Sequence, residues 1–138
     1  MVFETSAQIR FAHVDFAGIT FYPRYFEMLN GAVEDWFARA IGADFRSMHS
    51  ERGIGVPTVQ LSANFLSPST LGDELTIRII PTRIGRSSCQ YDALFTADSR
   101  DRLKVSATLV CMHLETQKSV PWPDDIRMRM MEDLALVS

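Results

Sequence analysis

Hydrophobic residues recur along this chain with two different periods. Over residues 5–11, Ala7, Ile9 and Phe11 alternate with Ser6, Gln8 and Arg10, the period of two that buries one face of a strand. From Tyr22-Pro23 onward, Phe26, Leu29, Val33, Phe37, Ala40 and Ile41 fall three or four apart until Gly42, which predicts an amphipathic helix of about five turns. Strand character returns over residues 58–66, 74–82, 87–97 and 103–115. In the second of these, Leu75, Ile77 and Ile79 oppose Glu74, Thr76 and Arg78.

The breaks between these segments carry turn chemistry. Ser67-Pro68-Ser69, Leu71-Gly72-Asp73, Arg83-Ile84-Gly85-Arg86 and Asp98-Ser99-Arg100-Asp101 are rich in residues that accept tight backbone geometry. Residues 44–55 are polar and mixed, a short helix or lid-like loop ending in the Gly53-Ile54-Gly55-Val56-Pro57 turn. Near the end, Asp124 is placed to cap a last short helix over residues 126–134. One long helix after the first strand, followed by closely spaced strands, predicts an α+β domain whose antiparallel sheet wraps that helix.

Composition narrows the function classes. A chain of 138 residues that is 46% hydrophobic and 22% charged fits one folded domain spanning residues 1–138. The formal charge of -3, with Lys and Arg scattered, lacks the basic footprint of a nucleic-acid binder. No window approaches the ~18 apolar residues of a membrane span, and the N-terminus lacks a basic and apolar leader, so a soluble, cytoplasmic protein is expected. Cys89 and Cys111 sit in apolar alternating segments and read as buried, reduced thiols, and neither they nor His13, His49 and His113 form a metal-ligand cluster.

The candidate chemistry lies between the first strand and the long helix. There Asp15 falls close to the positive end of the helix, where backbone N–H groups lack intrahelical partners. Pro23 suits the first helical position because it has no N–H, leaving the amide of Tyr22 available to a ligand oxygen. Gly18 permits a close backbone approach or a positive φ, and Ala17 adds little bulk. A carboxylate beside a helix-end amide suits acyl transfer.

The run from Ile9 to Phe26, which includes His13-Val14-Asp15-Phe16-Ala17-Gly18 and Phe21-Tyr22-Pro23, resembles the signature of the 4-hydroxybenzoyl-CoA thioesterase family. The resemblance continues through Glu51-Arg52-Gly53-Ile54, Pro57, Asn64-Phe65 and Gly72-Asp73-Glu74-Leu75. It implies a hotdog fold and hydrolysis of an acyl-CoA thioester, plausibly aromatic. Asp15 would be the nucleophile or general base, and the Tyr22 amide the donor that polarises the thioester carbonyl.

In the same way, Arg86 and Ser87 match positions that contact coenzyme A phosphates, and Pro57 and Thr58 match a stretch lining the thioester channel. Asn64 and Phe65 then face the acyl pocket. Coenzyme A is part of the substrate on this reading, and no separate cofactor is expected. Subunits of the family pair edge to edge, which implies a dimer or tetramer with the site at the subunit interface.

Two positions depart from the best-characterised member of that family. Phe16 stands where it has a proline, and His13 where it has an acid. His13 is thereby a candidate to orient Asp15 or a water, set against a loop histidine that only packs. Glu51 is weighed as an alternative carboxylate, set against a solvated acid beside Arg52. Three rival readings stay open: a thioesterase for aliphatic acyl-CoA or acyl carrier protein, a noncatalytic acyl-CoA-binding protein, and a dehydratase of the same fold.

Overall fold

The computed structural model describes residues 2–137. Strand β1 (Phe3–Gln8) leads through a single turn of 3-10 helix (Phe11–His13) to helix α1 (Pro23–Trp36), which continues as a wider coil over Phe37–Ile41. A short helix α2 (Phe45–Ser47), capped by the Asp44 carboxylate accepting from the Ser47 N–H, runs on through Met48–Arg52. Six strands follow: β2 (Ile54–Gly55), β3 (Thr58–Phe65), β4 (Glu74–Ile84), β5 (Ser88–Ala97), β6 (Arg100–Val110) and β7 (Met112–His113). Helix α3 (Asp124–Val137) closes the order.

Five strands form one antiparallel sheet in the order β1-β4-β5-β6-β3. Period-two patterning places Leu75, Ile77, Ile79, Tyr91, Ala93, Phe95, Leu103, Val105 and Leu109 on its buried face. Against that face α1 lays Tyr25, Leu29, Ala32, Val33 and Trp36, so the sheet wraps the helix as its periodicity predicts. Trp36 and Phe37 are fully buried and meet edge to face at 5.3 Å, whereas Phe26 is half-buried against Phe65. The aromatic spacing on α1 is core packing at its C-terminal end.

The structure corrects several boundaries. The first strand covers Phe3–Gln8 and not residues 5–11, because its partner β4 begins at Glu74, opposite Gln8. Beyond that point the Arg10 N–H turns to the His13 Nδ1 at 2.8 Å, and Phe11 is left 82% exposed. The last predicted strand divides after Val110, since Met112–His113 leaves the main sheet to pair with Ile54–Gly55. The C-terminal helix is longer than predicted, and α1 is therefore not the single covering helix. Its Ile126 and Met130 are buried, and Asp133 accepts a hydrogen bond from the Trp36 indole at 2.9 Å.

Among the described residues strand β3 pairs only with β6, and it lies at the sheet edge farthest from β1. Residues 66–73 must therefore cross the ends of β6 and β5 to reach β4. That crossing loop becomes the seat of the candidate site. Among the described residues no helix is long and apolar enough to cross a membrane.

Helix α3 is tied to the α2 extension by Arg52, whose Nη1 and Nη2 donate to the two Asp125 carboxylate oxygens at 2.8 and 2.6 Å. The hydrogen bond from Arg52 holds the Asp125 carboxyl below the usual carboxylate range. A lowered folded-state value means that this contribution is fully present above the unfolded aspartate value of about 3.9 and is lost as pH falls through the folded value. Both side chains reach solvent, so the contribution is at most about 1 kcal/mol. Denaturant unfolding of the wild type and Asp125→Asn should therefore differ by a constant amount from about pH 5 to 7, with the difference closing below about pH 3.9.

Candidate active site

The segment between β1 and α1 is a small structure of its own. Val14 and Thr20 form an antiparallel bridge, and the Asp15 N–H donates to the Ile19 carbonyl at 3.0 Å. The Gly18 N–H returns to the Asp15 carbonyl at 2.9 Å, with Gly18 at φ +79°. That left-handed conformation is the one Gly18 is suited to supply. The Asp15 carboxylate is exposed, and its Oδ1 accepts the Ala17 N–H at 2.9 Å, which fixes the direction of the acid. No other hydrogen bond to this carboxylate forms among the described residues.

The same segment decides which amide is spare at the start of α1. The Phe21 N–H donates to the His13 carbonyl at 2.8 Å, and Pro23 has no N–H. The Arg24 and Tyr25 amides turn back to the Phe21 and Tyr22 carbonyls at 2.9 and 3.2 Å. Between them, the Tyr22 N–H meets no acceptor among the described residues. A lone N–H at the positive end of a helix is suited to an anionic oxygen.

An open hollow of about 500 Å³ borders this segment, lined by Phe11, Val14, Asp15, Phe16, Phe21 and Arg24. Its volume falls in the range of small-molecule sites, and its walls are mainly apolar around one carboxylate. A second hollow of about 330 Å³ holds Tyr22, Tyr25 and Phe65, where the rings of Tyr22 and Phe65 meet edge to face at 5.9 Å. Asp15 and Tyr22 thus border adjacent hollows on one chain.

Sequence-predicted residues fall into two groups. Asp15, Gly18, Tyr22 and His13 stand together, and Phe65 joins them from the end of β3. His13 is bound into the local turn, since its Nδ1 accepts the Arg10 N–H. Pro57, Thr58, Arg86 and Ser87 gather at the opposite end of the sheet. There the Val110 N–H donates to Pro57 and the Cys111 N–H to Ser87 at 3.1 and 2.7 Å. The length of β4 separates the two groups by roughly 30 Å in one chain. Glu51 is exposed beside Arg52 on the α2 extension.

Other nucleophiles are disfavoured by their surroundings. Burial pushes the Cys89 thiol up to about 12 and the Cys111 thiol up to about 11, so neither supplies a thiolate at neutral pH. Among the described residues no group of three His, Cys, Asp or Glu side chains could hold a metal ion. Sequence reasoning missed Thr20 and Ser69. The Ser69 carbonyl accepts both the Thr20 N–H at 2.8 Å and its hydroxyl at 3.1 Å. Nothing local to either residue signals a contact across 49 positions.

A family model described as the thioesterase-like superfamily matches residues 9–130. Over 119 residues the chain is 30% identical to a 1,4-dihydroxy-2-naphthoyl-CoA hydrolase of Thermosynechococcus vestitus, spanning 86% of this chain and 81% of that protein. The fold is shared with Slr0204, a 1,4-dihydroxy-2-naphthoyl-CoA thioesterase from Synechocystis, at a TM-score of 0.85 and 20% identity over 96% of this chain and 97% of that one. It is also shared with BH1999 gentisyl-coenzyme A thioesterase, at a TM-score of 0.84 and 21% identity over 93% and 99%. The hotdog architecture expected from the sequence is the fold observed.

Substituting Gly18 isolates the conformational demand of the loop, because nothing lies within 4 Å of an added Cβ and only the positive φ opposes it. Gly18→Ala should lower the unfolding free energy by about 1 kcal/mol in denaturant titrations.

Proposed function

The chain belongs to the thioesterase-like superfamily, and from that premise we propose that it hydrolyses an aromatic acyl-CoA to the free acid and coenzyme A. The observation that carries the reading is the pairing of an oriented Asp15 carboxylate with the spare Tyr22 N–H on one short segment. In the proposed reaction the Tyr22 N–H takes the charge that develops on the thioester oxygen, a contribution of about 3 kcal/mol for one well-placed donor. Asp15 either attacks the carbonyl carbon, expelling the thiolate to leave an anhydride that water opens, or takes a proton from water as it attacks. His13 is assigned to holding the turn that carries Asp15, since its Nδ1 is engaged by the Arg10 amide.

The aromatic acyl group is supported by the lining of the hollow beside Asp15, where Phe11, Phe16 and Phe21 offer flat apolar contact. It is supported also by the naphthoyl-CoA hydrolase relative. A single-ring acid such as 4-hydroxybenzoate is the finer expectation from the sequence resemblance, and the double-ring naphthoyl acid is the one the relative favours.

A second copy of the chain completes the proposed site. Strand β3 is an unpaired edge that leaves Val59, Leu61 and Phe65 exposed by 60%, 38% and 52%. Open, apolar edges of this length are covered in stable proteins. Antiparallel pairing of β3 with its copy would set the Thr58 end of one subunit beside the Phe65 end of the other. Pro57, Thr58, Arg86 and Ser87 of the second subunit would then approach Asp15 and Tyr22 of the first. Arg86 and Ser87 are assigned to the phosphates of coenzyme A, for which a guanidinium fork is suited.

Three experiments test the proposed reaction and the shared site. Asp15→Asn retains an acceptor for the Ala17 N–H, so it should fold normally while turnover falls about 10²- to 10⁴-fold. Wild-type rates across naphthoyl-, hydroxybenzoyl- and fatty acyl-CoA esters should favour the aromatic substrates, and near-normal turnover in the variant would refute the assignment. Light scattering after size exclusion should give at least twice the 15.6 kDa chain mass, and a monomer would refute the shared site.

A further inference from the structure

Arg102, the third residue of β6, lies beneath the loop that crosses the sheet, and only 2% of it is exposed. Its Nη1 donates to the Pro68 carbonyl at 3.1 Å, the Ser69 hydroxyl at 3.2 Å and the Asp73 carboxylate at 2.7 Å. Its Nη2 donates to the Ala97 carbonyl at 3.1 Å. The Arg102 carbonyl accepts the Leu66 and Ser67 amides at 2.9 and 3.3 Å. Asp73 in turn accepts the Thr70 N–H at 2.9 Å. One buried residue therefore grips the crossing loop at its start, middle and end.

The opposite side of that loop carries the candidate site. The Ser69 carbonyl accepts both donors of Thr20, and Ile19 bridges Thr70. Ile19 then accepts the Asp15 N–H, and Phe21, which follows Thr20, precedes the spare Tyr22 amide. A path of hydrogen bonds and short covalent backbone links runs from the Arg102 guanidinium through Ser69 and Thr20 to Ile19, which accepts from Asp15, and to Phe21, the residue before Tyr22. A guanidinium suits this junction, because its fixed fork of donors serves several acceptors at once.

We infer that Arg102 is a positioning residue: it sets the height of the Ser69 carbonyl and so the placement of Asp15 against the Tyr22 N–H. The inference rests on the proposed hydrolase reading for its kinetic consequence but not for its structural one. A staple that only stabilises the fold would lower the melting temperature and leave the turnover of folded molecules unchanged. A positioning residue lowers kcat in fully folded protein and leaves KM near its original value, because small misplacements of reacting groups carry large rate penalties.

The test uses Arg102→Lys, which keeps the charge and loses the fork, together with Thr20→Val, which removes the hydroxyl bond to Ser69 and leaves Arg102 intact. Both are assayed at a temperature where circular dichroism reports complete folding. In Arg102→Lys, kcat should fall about tenfold or more with KM within about twofold, and Thr20→Val should move in the same direction by less, with Thr20→Ser restoring it. Hydrogen exchange should quicken about tenfold at the Asp15 and Thr20 amides and stay unchanged in β5. Unaltered exchange at those amides, or a kcat within about twofold of wild type in Arg102→Lys, would overturn the inference. If the wild type hydrolyses no acyl-CoA, the hydrolase reading falls, and the exchange comparison alone decides whether Arg102 holds the loop.

Discussion

The carbonyl of Ser69 takes two hydrogen bonds from Thr20, and the geometry of the candidate site hangs from that contact. It joins two segments that no sheet ladder holds: the loop crossing from β3 to β4, and the turn carrying Asp15. The need for a crossing loop comes from the strand order, which sends β3 to the far edge while β4 pairs with β1. A topological requirement of the sheet has thus become the platform for the chemistry. Most of the buried polar groups on that platform meet one another: the Ser69 hydroxyl accepts from the Arg102 Nη1 and the Ser69 carbonyl from Thr20, while the Arg102 Nε has no partner among the described residues.

The turn itself partitions a small stock of amides. Ala17 spends its N–H on the carboxylate, Gly18 on the Asp15 carbonyl and Phe21 on His13. Pro23, the first helical residue, contributes none, so the Tyr22 N–H is the donor that remains at the positive end of a helix of 14 residues. The acid and the donor are products of the same backbone path, which explains why a change at Gly18 or Thr20 would be felt at both.

Much of this was legible from local pattern. The α1 periodicity through Ile41 with its stop at Gly42, the alternation in β4 and β5, and the Tyr22-Pro23 helix start each depend on residues a few positions apart. What escaped depends on distant partners. The first strand ends at Gln8 because β4 begins at Glu74, and Phe11 reads as a strand residue until that register is known. Helix α3 was underestimated because residues such as Met128 and Met131 are exposed, which blurs its apolar stripe. Arg102 looks like any strand-end arginine, and its role follows only from the loop folded above it. The division of Asp15 from Arg86 by the length of β4 was equally invisible, because it follows from the strand register.

The claim at the centre is that Asp15 and the Tyr22 amide address one thioester carbonyl, and a crystal structure with a nonhydrolysable aromatic acyl-CoA analogue tests it most directly. The carbonyl oxygen should lie about 3 Å from the Tyr22 nitrogen, and the carbonyl carbon about 3.5 Å from an Asp15 carboxylate oxygen. An analogue bound with its carbonyl against other donors, and with Asp15 out of reach, would contradict the account.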